Sequence, residues 1–317
     1  MEHFPFFPTP LTRHAVLSAL LGVTLFIKQD DWFAYPGGGS KARKARYIFW
    51  AARERGHDAV VTAGGLHSNH LRVSALMAAE LGWKSILIVH AEKPAQEHAA
   101  GNLKLARLAG AQVRFVPMTG VAAAMDQAMA DLQAQGRRPY YLWGGGHCLE
   151  GTYAYYGAVK EVRQQLADGE TVDEIIVASG TGTTQAGIEV GCRECFPGAR
   201  VRGISIARDE ERGRGVIETS MRELYGYLRQ DPPPQAPVFD VRFRGGGYEA
   251  VYPELLETIR WAARRAGLIL DPTYTGKAFH ALRRYIAEGA IARGAAVLFW
   301  HTGGILNLLA SRELEGI

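Results

Sequence analysis

Short apolar runs alternate with longer segments of helical character along this 317-residue chain. Runs such as DAVVTAGG, EIIVASG and VRGISIA have the length and β-branched content of buried strands, and segments such as KARYIFWAARERG and LETIRWAARRAG have the apolar spacing of helices. Strands that alternate with helices are typical of βαβ units, in which helices cover a parallel sheet. Two such series follow each other, the second of which includes LILDP as a strand and ends in AVLFWHTGG. The sequence therefore predicts an α/β fold with two lobes.

The composition narrows the class of protein further. Apolar residues make up 47% of the chain, and 36 basic against 32 acidic residues leave a net charge of only +4. This small excess is spread along the chain and does not indicate a nucleic-acid partner. The most apolar early stretch, residues 17–27, is too short to cross a bilayer, so no membrane partner is expected. Three cysteines fit a reducing compartment without a disulfide framework, which predicts a cytoplasmic protein.

Glycine-rich loops follow several of the apolar runs. In open α/β sheets, ligands bind beyond the carboxyl ends of the strands. Loops at these ends are therefore expected to share one crevice, although glycines also close helices without any ligand. The five loops are AGG at 63–65, WGGG at 143–146, SGTG at 179–182, RGGG at 244–247 and TGG at 302–304.

The stretch VASGTGTTQAG, residues 177–187, combines a strand, a loop of small residues and the start of a helix. Small residues let backbone N–H groups converge on an anion, threonine hydroxyls add donors, and a helix N-terminus adds positive potential. We therefore expect this loop to bind a phosphate. No Lys-Ser or Lys-Thr follows Gly187, and Gly180 and Gly182 lack the third glycine of a dinucleotide fingerprint. ATP is thereby excluded and NAD is disfavoured.

The stretch GGLHSNHLR, residues 64–72, also follows a strand and opens a helix. Ser68 and Asn69 are good helix N-cap types. A helix N-terminus lined by hydroxyl and amide groups suits a carboxylate or a phenolate, and a plain N-cap is the alternative.

Two sequence patterns could be mistaken for metal sites. His67 and His70 are three residues apart, but no third ligand stands at a recognisable spacing. Cys192 and Cys195 form a C-x-x-C without a second pair, and the surrounding GIEVGCRECF is typical of one helix face. We therefore expect no metal.

The stretch PGGGSKARKARY, residues 36–47, places Lys41 and Lys44 one helical turn apart, so that both ammonium groups project from one face of a helix start. A lysine near a second cation has a lowered pKa and can form a Schiff base with an aldehyde cofactor, whereas a solvated basic face is the alternative. The phosphate loop and the lack of a nucleotide motif favour pyridoxal phosphate, which needs an amine, a phosphate site, a ring partner and a polar group for its pyridine nitrogen. The other basic residues, expected on the helix surface, are Arg43, Arg46 and Arg53.

The C-terminal third offers candidates for the last two groups. In LDPTYTGKAFHAL, Tyr274 lies in a loop before a helix, from which it could stack on a planar ring. In LFWHTGG, Thr302 follows the final strand, and its hydroxyl could face a heteroaromatic nitrogen. Either residue taken alone could be structural.

Taken together, these stretches resemble the family of 1-aminocyclopropane-1-carboxylate deaminase and D-cysteine desulfhydrase. The likeness runs in order through PTPLTR, FIKQDDW, GGGSKARKARY, AGGLHSNH, SGTGTTQAG, DPTYTGK and HTGG. It implies pyridoxal 5'-phosphate as cofactor and the tryptophan synthase β-like fold (fold type II), in which each of two domains is an open, mainly parallel twisted sheet flanked by helices. The large, cofactor-binding domain would comprise residues 1–41 and 151–317, and the small domain residues 42–150.

The resemblance also implies which residues hold the cofactor. Lys41 matches the lysine of the family's G-G-N-K-x-R-K motif and would form the Schiff base. Lys44 would help to hold the phosphate, Asn69 would contact the ring oxygen, and Thr302 would approach the pyridine nitrogen. The phosphate loop would be formed by Gly180, Thr181, Gly182, Thr183 and Thr184.

The substrate side of the site is implied in the same way. Ser68 would lie beside the substrate and take part in proton transfer or carboxylate binding. Tyr274 would stack near the ring and act in catalysis, and Tyr248 stands where the family often carries an active-site tyrosine. The further substrate residues would be Asn69, His67 and His70.

Departures from the family pattern bear on the substrate. Ser40 replaces the usual Asn before the lysine, and His67 replaces the usual Gln, and both would line the substrate side. Thr275 stands where members that open the cyclopropane ring usually carry Glu, and YEAVYPE replaces the usual Y-G-x-P-N run. These departures favour the desulfhydrase side of the family.

The function that this resemblance implies is a lyase that removes a β-substituent and ammonia from a small amino acid, leaving a keto acid. The alternatives are a β-replacement synthase, a racemase, a 1-aminocyclopropane-1-carboxylate deaminase, a catalytically silent protein that binds pyridoxal phosphate, and a basic nucleic-acid-binding module. Family likeness also suggests a homodimer.

Overall fold

The computed structural model describes residues 8–90, 100–232, 235–311 and 313–314. Within these ranges the chain forms ten strands and eleven α-helices, and short 3-10 turns at Asp30–Trp32 and Met118–Gly120. The strands are β1 (Leu11–Arg13), β2 (Thr24–Gln29), β3 (Ala59–Gly65), β4 (Lys84–His90), β5 (Gln112–Val116), β6 (Pro139–Leu142), β7 (Glu174–Ser179), β8 (Arg200–Ser205), β9 (Val238–Asp240) and β10 (Ala296–His301). The helices are α1 (Ala15–Leu21), α2 (Ser40–Glu54), α3 (Asn69–Glu80), α4 (Gly101–Leu108), α5 (Val121–Ala134), α6 (Leu149–Gln165), α7 (Thr183–Cys195), α8 (Glu210–Leu228), α9 (Pro253–Ala266), α10 (Thr275–Ala287) and α11 (Ile305–Leu309).

The larger sheet has six strands in the order β1-β2-β10-β7-β8-β9. Neighbouring strands run parallel except β1 and β2, which are antiparallel. The register pairs Trp300 of β10 with Lys28 of β2 and with Val177 of β7. The carboxyl ends of these three strands therefore meet at one edge of the sheet.

The smaller sheet has four parallel strands in the order β5-β4-β3-β6. It is formed by residues 59–142, between the strands of the larger sheet in sequence. Its carboxyl edge carries two of the five glycine runs, AGG at the end of β3 and WGGG in the loop after β6.

Helices cover both faces of each sheet because the strands are apolar on both sides. On the larger sheet, Phe299 packs with Phe279 of α10 on one face, and Trp300 packs with Tyr155 of α6 on the other. On the smaller sheet, α2 and α3 bury Phe49 and Val73 against β3, and α5 packs on the opposite face. The predicted α/β fold with two mainly parallel sheets is thereby confirmed.

The prediction of a strand at LILDP is wrong. Residues 268–271 are irregular, although Leu268 and Leu270 are buried and Ile269 is exposed, as in a strand. Because β10 pairs with β2 on one side and with β7 on the other, its edges are already occupied. The carbonyl of Ile269 instead lies 2.8 Å from Nε2 of His301, from which it accepts a hydrogen bond.

In the part of the chain described here, no helix has the length and apolarity needed to span a bilayer. The same described residues contain no cluster of three or more His, Cys, Asp or Glu side chains suited to a metal ion. The exact domain boundaries, at residues 41 and 150, stay a prediction.

Candidate active site

The glycine loops at the carboxyl ends of the strands approach one another. A Cβ on Gly145 would lie 2.6 Å from the Thr181 side chain, and one on Gly303 would lie 2.8 Å from the Cα of Gly39. A Cβ on Gly65 would lie 3.4 Å from the Tyr248 ring. These contacts join loops of the two sheets, which brings the sequence-predicted site residues to one crevice.

Glycines before α2 let its N-terminus enter this crevice. Gly37, Gly38 and Gly39 all have positive φ, and a Cβ on Gly38 would lie 2.0 Å from the carbonyl oxygen of Asp31. The Ser40 N–H donates to the carbonyl of Thr302 at 2.8 Å. The start of α2 is thereby fixed against the loop after β10, so that Lys41 and Thr302 lie close together.

Lys41 carries an amine with no hydrogen-bond partner among the described residues. Burial lowers its pKa to about 8, because removal from water disfavours the charged form. The charge of Lys41 also lowers the pKa of His70 and of Lys44, so these three groups lie close together. A partly neutral and unpartnered amine is suited to nucleophilic and proton-transfer chemistry.

Lys44 joins α2 to the phosphate loop. Its Nζ donates to Thr183 Oγ1 at 2.7 Å and to the carbonyl of Gly145 at 2.8 Å. Burial, followed by the charge of Lys41, lowers its pKa well below the ordinary value. None of its partners among the described residues is a carboxylate, so a bound anion would stabilise the charged form of Lys44.

The loop 180–184 has the form expected of a phosphate site. It joins β7 to α7, Gly182 has φ 95°, and no side chain in the described part of the chain caps the start of α7. The first turn of α7 begins with Thr183 and Thr184, which are both buried. Backbone N–H groups, hydroxyls and the Lys44 ammonium are thus gathered at one helix N-terminus.

Four predicted residues, His67, Ser68, Asn69 and His70, lie at the start of α3. Ser68 is the N-cap, and its Oγ accepts from the Leu71 N–H at 3.4 Å. Nδ1 of His67 is buried without a hydrogen-bond partner among the described residues. His70 is buried, and its Nε2 lies 2.8 Å from Thr62 Oγ1.

The tautomer of His70 follows from its surroundings. Thr62 Oγ1 donates its proton to the Leu142 carbonyl at 2.7 Å, so it accepts the Nε2–H of His70. Burial, then the charges of Lys41 and Lys44, lowers the pKa of His70 to about 3. His70 is therefore neutral, with the proton on Nε2.

Tyr248 and Tyr274 form a pair with their phenol oxygens 2.5 Å apart. Burial raises the pKa of both, and Tyr248 also contacts Gly65 and thus reaches the smaller sheet. Asp271 fixes Tyr274, because its Oδ2 accepts from the Tyr274 N–H at 2.9 Å. Lys277 is buried and donates to the carbonyl of Gly247 at 2.9 Å, next to Tyr248. Both phenols are therefore protonated, and because one of them donates to the other, the pair keeps one O–H for a ligand in the crevice.

The surface position predicted for Arg43 is wrong. Its side chain is fully buried, with NH2 2.7 Å from Asp30 Oδ1 and NH1 2.8 Å from Glu161 Oε2. Tyr155 and Trp300 also donate to Asp30, at 2.5 and 2.9 Å. Burial alone would raise the pKa of Asp30, but the charge of Arg43 and these hydrogen bonds hold it below its ordinary value.

Arg46 and Arg53 do lie toward solvent. Arg46 is partly exposed and pairs with Glu80 at 2.9 Å, and Arg53 is exposed. Ser40 is buried, and a hydrogen bond from it reaches the Tyr155 phenol. Ser40 is thus directed toward the buried ion network of Asp30. Its place on the substrate side stays a prediction.

Sequence reasoning missed three polar residues beside Asn69. Arg72 NH1 donates to Asn69 Oδ1 at 3.0 Å and to Asn102 Oδ1 at 3.0 Å, and Asn69 Nδ2 donates to Asn307 Oδ1 at 2.7 Å. Arg72 belonged to the quoted GGLHSNHLR stretch, but Asn102 and Asn307 stand in segments without any motif.

Comparisons with known proteins identify the family of the chain. The family model that matches residues 4–303 describes a pyridoxal-phosphate dependent enzyme. A 1-aminocyclopropane-1-carboxylate deaminase of Burkholderia vietnamiensis is 34% identical over 335 residues, covering 99% of this chain and 98% of that protein. A D-cysteine desulfhydrase of Klebsiella pneumoniae is 32% identical over 309 residues, covering 96% and 93%. The crystal structure of an ACC deaminase homologue superposes with a TM-score of 0.88 at 31% identity, covering 96% of this chain and 92% of that one.

The fold and the site thus define a pyridoxal-phosphate dependent enzyme of fold type II. Within that class, the chain belongs to the family that includes 1-aminocyclopropane-1-carboxylate deaminase and D-cysteine desulfhydrase. The predicted cofactor and the predicted enzymatic class are thereby confirmed.

The donors in the crevice fit this cofactor. An aldehyde requires a free amine, which Lys41 has, and a phosphate requires a cation and hydroxyls, which Lys44 and Thr183 supply. An aromatic ring with an anionic oxygen requires a polar N–H donor, which the Asn69 amide can supply. The aldehyde, the phosphate and the ring oxygen of the cofactor thus each have a chemically matched side chain.

Proposed function

We propose that this enzyme removes a β-substituent and ammonia from a small β-substituted amino acid, as a D-cysteine desulfhydrase does. With cysteine the products would be pyruvate, ammonia and sulfide, and one water would be consumed. The relatives named above act within the same chemistry, since their names describe a deaminase and a desulfhydrase.

The observation that carries this choice concerns Thr275. Members that open the cyclopropane ring usually carry Glu here, whereas the Thr275 side chain is fully buried and turned toward Asp271. Its Oγ1 donates to Asp271 Oδ1 at 2.7 Å and accepts from the Asp271 N–H at 3.0 Å. A hydroxyl engaged in this way adds no carboxylate to the crevice, which favours β-elimination over ring opening.

Pyridoxal phosphate, when bound, supplies an electron sink for the negative charge that develops at the substrate Cα. Lys44, Thr183 and the rest of the loop 180–184 hold its phosphate in this proposal, and Asn69 and Thr302 orient its ring. Lys41 lies one helical turn from Lys44 and close enough for its charge to lower the Lys44 pKa, so a substrate Cα beside the bound cofactor would lie within reach of the Lys41 amine.

Lys41 is the proposed base for the Cα proton. Its pKa of about 8 leaves a useful neutral fraction near neutral pH, and no competing hydrogen bond from the described residues holds the amine away. Ser68, at the positive N-terminus of α3, would bind the substrate carboxylate together with Asn69. His67 and His70 would line the substrate site beside them.

The tyrosine pair is the proposed acid for the leaving group. Tyr248 and Tyr274 keep their protons because burial raises the pKa of both, and the 2.5 Å hydrogen bond lets one phenol support the other. A neutral phenol can donate to a thiolate as it departs from Cβ. Tyr274 also lies at the start of α10, where Asp271 fixes its backbone.

The test is a product assay of the purified holoprotein with D-cysteine, L-cysteine, D-serine and 1-aminocyclopropane-1-carboxylate. The expected result is sulfide and pyruvate in equal amounts from D-cysteine, with no keto acid from the cyclopropane substrate. Keto acid from the cyclopropane substrate alone would indicate a deaminase, formation of the opposite enantiomer would indicate a racemase, and a β-replaced product would indicate a synthase. Each of these results would overturn the proposal. A protein whose absorbance responds to none of these amino acids would be catalytically silent.

The assignment of Lys41 has its own test. Lys41→Ala is expected to abolish the visible absorbance of the bound cofactor, because the other described lysines near the crevice, Lys44 and Lys277, have hydrogen-bond partners. A purified variant that kept this absorbance would contradict the assignment. Lys104→Ala, on the exposed side of α4, is the control and should keep it.

We also propose the arrangement of the whole protein. The large domain comprises residues 1–41 and 151–317 and the small domain residues 42–150, supported by the membership of the two sheets. Family likeness and the sparse cysteines support a cytoplasmic homodimer. Sedimentation of the purified holoprotein at micromolar concentration would reveal a monomer if the dimer is wrong.

A further inference from the structure

A polar network crosses the crevice beside Asn69. Arg72 lies one turn further along α3, Asn102 belongs to α4, and Asn307 belongs to α11. All three are buried, with exposures of 0%, 1% and 4%. They connect Asn69 to the carbonyl of His67, which accepts from Asn102 Nδ2 and from Asn307 Nδ2, each at 2.9 Å.

The orientation of every amide in this network follows from the two groups at the ends of the network, the Arg72 guanidinium and the His67 carbonyl. A guanidinium can only donate and a carbonyl can only accept. Asn307 gives its Nδ2 to the His67 carbonyl, so its Oδ1 is the acceptor that faces Asn69 Nδ2 at 2.7 Å. Arg72 NH1 donates to Asn69 Oδ1, so the Asn69 amide is held from both sides and cannot flip without losing two hydrogen bonds.

This arrangement leaves Asn69 with one N–H for a ligand. Its Nδ2 has two protons, of which one is donated to Asn307, and no other acceptor among the described residues takes the second. Its Oδ1 is occupied by Arg72. Asn69 can therefore only donate into the crevice, which suits an anionic ring oxygen and not a donor.

Arg72 adds charge to this orientation. Its guanidinium donates to Asn69, Asn102 and the Gly38 carbonyl, and it pairs with no carboxylate among the described residues. Burial lowers its pKa to about 10, which still leaves it protonated at neutral pH. The positive charge behind Asn69 polarises the amide toward an anion.

Asn307 also belongs to the segment that carries Thr302. Two glycines separate Thr302 from the start of α11, and Gly304 approaches Asp271 so closely that a Cβ there would lie 2.4 Å from its carboxyl. Asn307 thus connects the two residues proposed to contact opposite sides of the cofactor ring, one on α3 and one after β10.

We propose that Asn307, together with Arg72, is a positioning residue that fixes Asn69 as a hydrogen-bond donor to the ring oxygen of the cofactor. This proposal rests on the proposed role of Asn69. Asn307 acts through Asn69 and through the loop of Thr302, and it does not touch the cofactor itself.

The experiment compares Asn307→Ala with Asn102→Ala. Each asparagine is buried and makes three hydrogen bonds in the network, but only Asn307 contacts Asn69. Binding of pyridoxal phosphate to the apoprotein is measured by absorbance titration, along with the pH dependence of the visible band. Asn307→Ala is expected to weaken binding about tenfold, the size of one hydrogen bond to a charged group, and to shift that pH dependence. Asn102→Ala should change the dissociation constant less than threefold, on the order of an indirect contact.

Apoprotein melting separates positioning from general damage. Both alanine variants should lower the melting temperature similarly, because both remove three buried hydrogen bonds. Equal effects of the two variants on cofactor binding, or an unchanged spectrum in Asn307→Ala, would overturn the proposal. If Asn307→Ala does not fold, Asn307→Ser, which is too short to reach Asn69 and adds no charge, is titrated in its place, and cofactor binding and pH dependence equal to those of the wild type would overturn the proposal.

The same titration distinguishes this proposal from the proposed function. If Asn69→Ala binds the cofactor as the wild type does, the role of Asn69 itself fails. If Asn69→Ala weakens binding and Asn307→Ala does not, only the positioning role of Asn307 fails.

Discussion

Lys41 is the residue on which the chemistry depends, and its environment gives it a measurable signature. The ordinary pKa of a lysine is 10.5, whereas burial lowers the pKa of Lys41 to about 8. The sequence already places Lys41 beside a second lysine, but the cause of the lowered pKa is burial. The charge of Lys41 acts in turn on Lys44 and His70.

This pKa predicts how the apoprotein captures its cofactor. Only the neutral amine attacks an aldehyde, so the rate at which the visible band forms should rise with pH and level off above about pH 8. Stopped-flow absorbance from about pH 6 to about pH 10 measures this rate on both sides of the expected Lys41 titration. A rate that continues to rise toward pH 10.5 would mean that the Lys41 amine is solvated.

Lys44 is expected to recognise phosphate and not the ring. Lys44→Met should weaken the binding of pyridoxal phosphate by about 10- to 100-fold, because a hydrogen bond to a charged group contributes about 1.5–3 kcal/mol. Binding of pyridoxal, which has no phosphate, should stay unchanged. Equal losses for both ligands would place Lys44 elsewhere than at the phosphate. The matched control is Lys104→Met, on an exposed position of α4.

At the scale of the element, α2 shows how a helix with many basic residues can be both buried and exposed. Arg43 and Arg46 are one turn apart, yet Arg43 is buried among Asp30 and Glu161, and Arg46 pairs with Glu80 near the surface. The start of α2 is therefore held by the buried ion pairs of Arg43 and by the hydrogen bond from the Ser40 N–H to the Thr302 carbonyl.

These two arginines make a matched pair for a stability measurement. Arg43→Gln should cost about 3–5 kcal/mol of the free energy of unfolding, since it leaves a buried carboxylate without its partner. Arg46→Gln should cost less than about 1 kcal/mol, as expected for a partly exposed ion pair. Urea denaturation of the apoproteins measures both. Similar costs for the two variants would contradict the buried network.

The pH dependence of this network has a definite sign. The folded-state pKa of Asp30 lies below its ordinary value of 3.8, so the folded protein binds this proton less readily than the unfolded chain. The stability that Asp30 contributes is therefore complete above about pH 4 and is lost as the pH falls through the folded pKa.

At the scale of the whole molecule, the site is assembled from both sheets. Lys44 of α2 contacts Thr183 of α7, Tyr248 contacts Gly65 at the end of β3, and Arg72 donates to the Gly38 carbonyl. Each contact joins an element on the smaller sheet to a segment associated with the larger sheet. A ligand in the crevice therefore touches both lobes.

Cofactor binding should accordingly protect both lobes together. Addition of pyridoxal phosphate to the apoprotein is expected to slow amide exchange at the first turns of α2, α3 and α7, because binding to the native state raises its stability. The edge strand β9, at the far side of the larger sheet, serves as the internal control. Hydrogen exchange read by mass spectrometry measures this, and protection limited to one lobe would contradict a shared site.

Much of the fold could be predicted because it depends on local pattern. The alternation of apolar runs and helical segments was enough for the α/β class, and the loop after β7 already had the residues of a phosphate site. The strand expected at LILDP failed because strand formation also needs a free neighbouring edge, and β10 is paired on both sides. Whether a neighbouring strand has a free edge depends on the whole sheet, so a run of five residues does not reveal it.

The sequence by itself determined the fold class, because that depends on the alternation of apolar runs and helical segments, and its local motifs carried the resemblance that implied the family and the cofactor. Only the tertiary structure decided which charges are buried. Arg43 meets Glu161 across 118 residues, and Asn69 meets Asn307 across 238, so no local pattern could show either contact. The physical reason is that the cost of burying a charge or an amide is set by partners that only folding brings near.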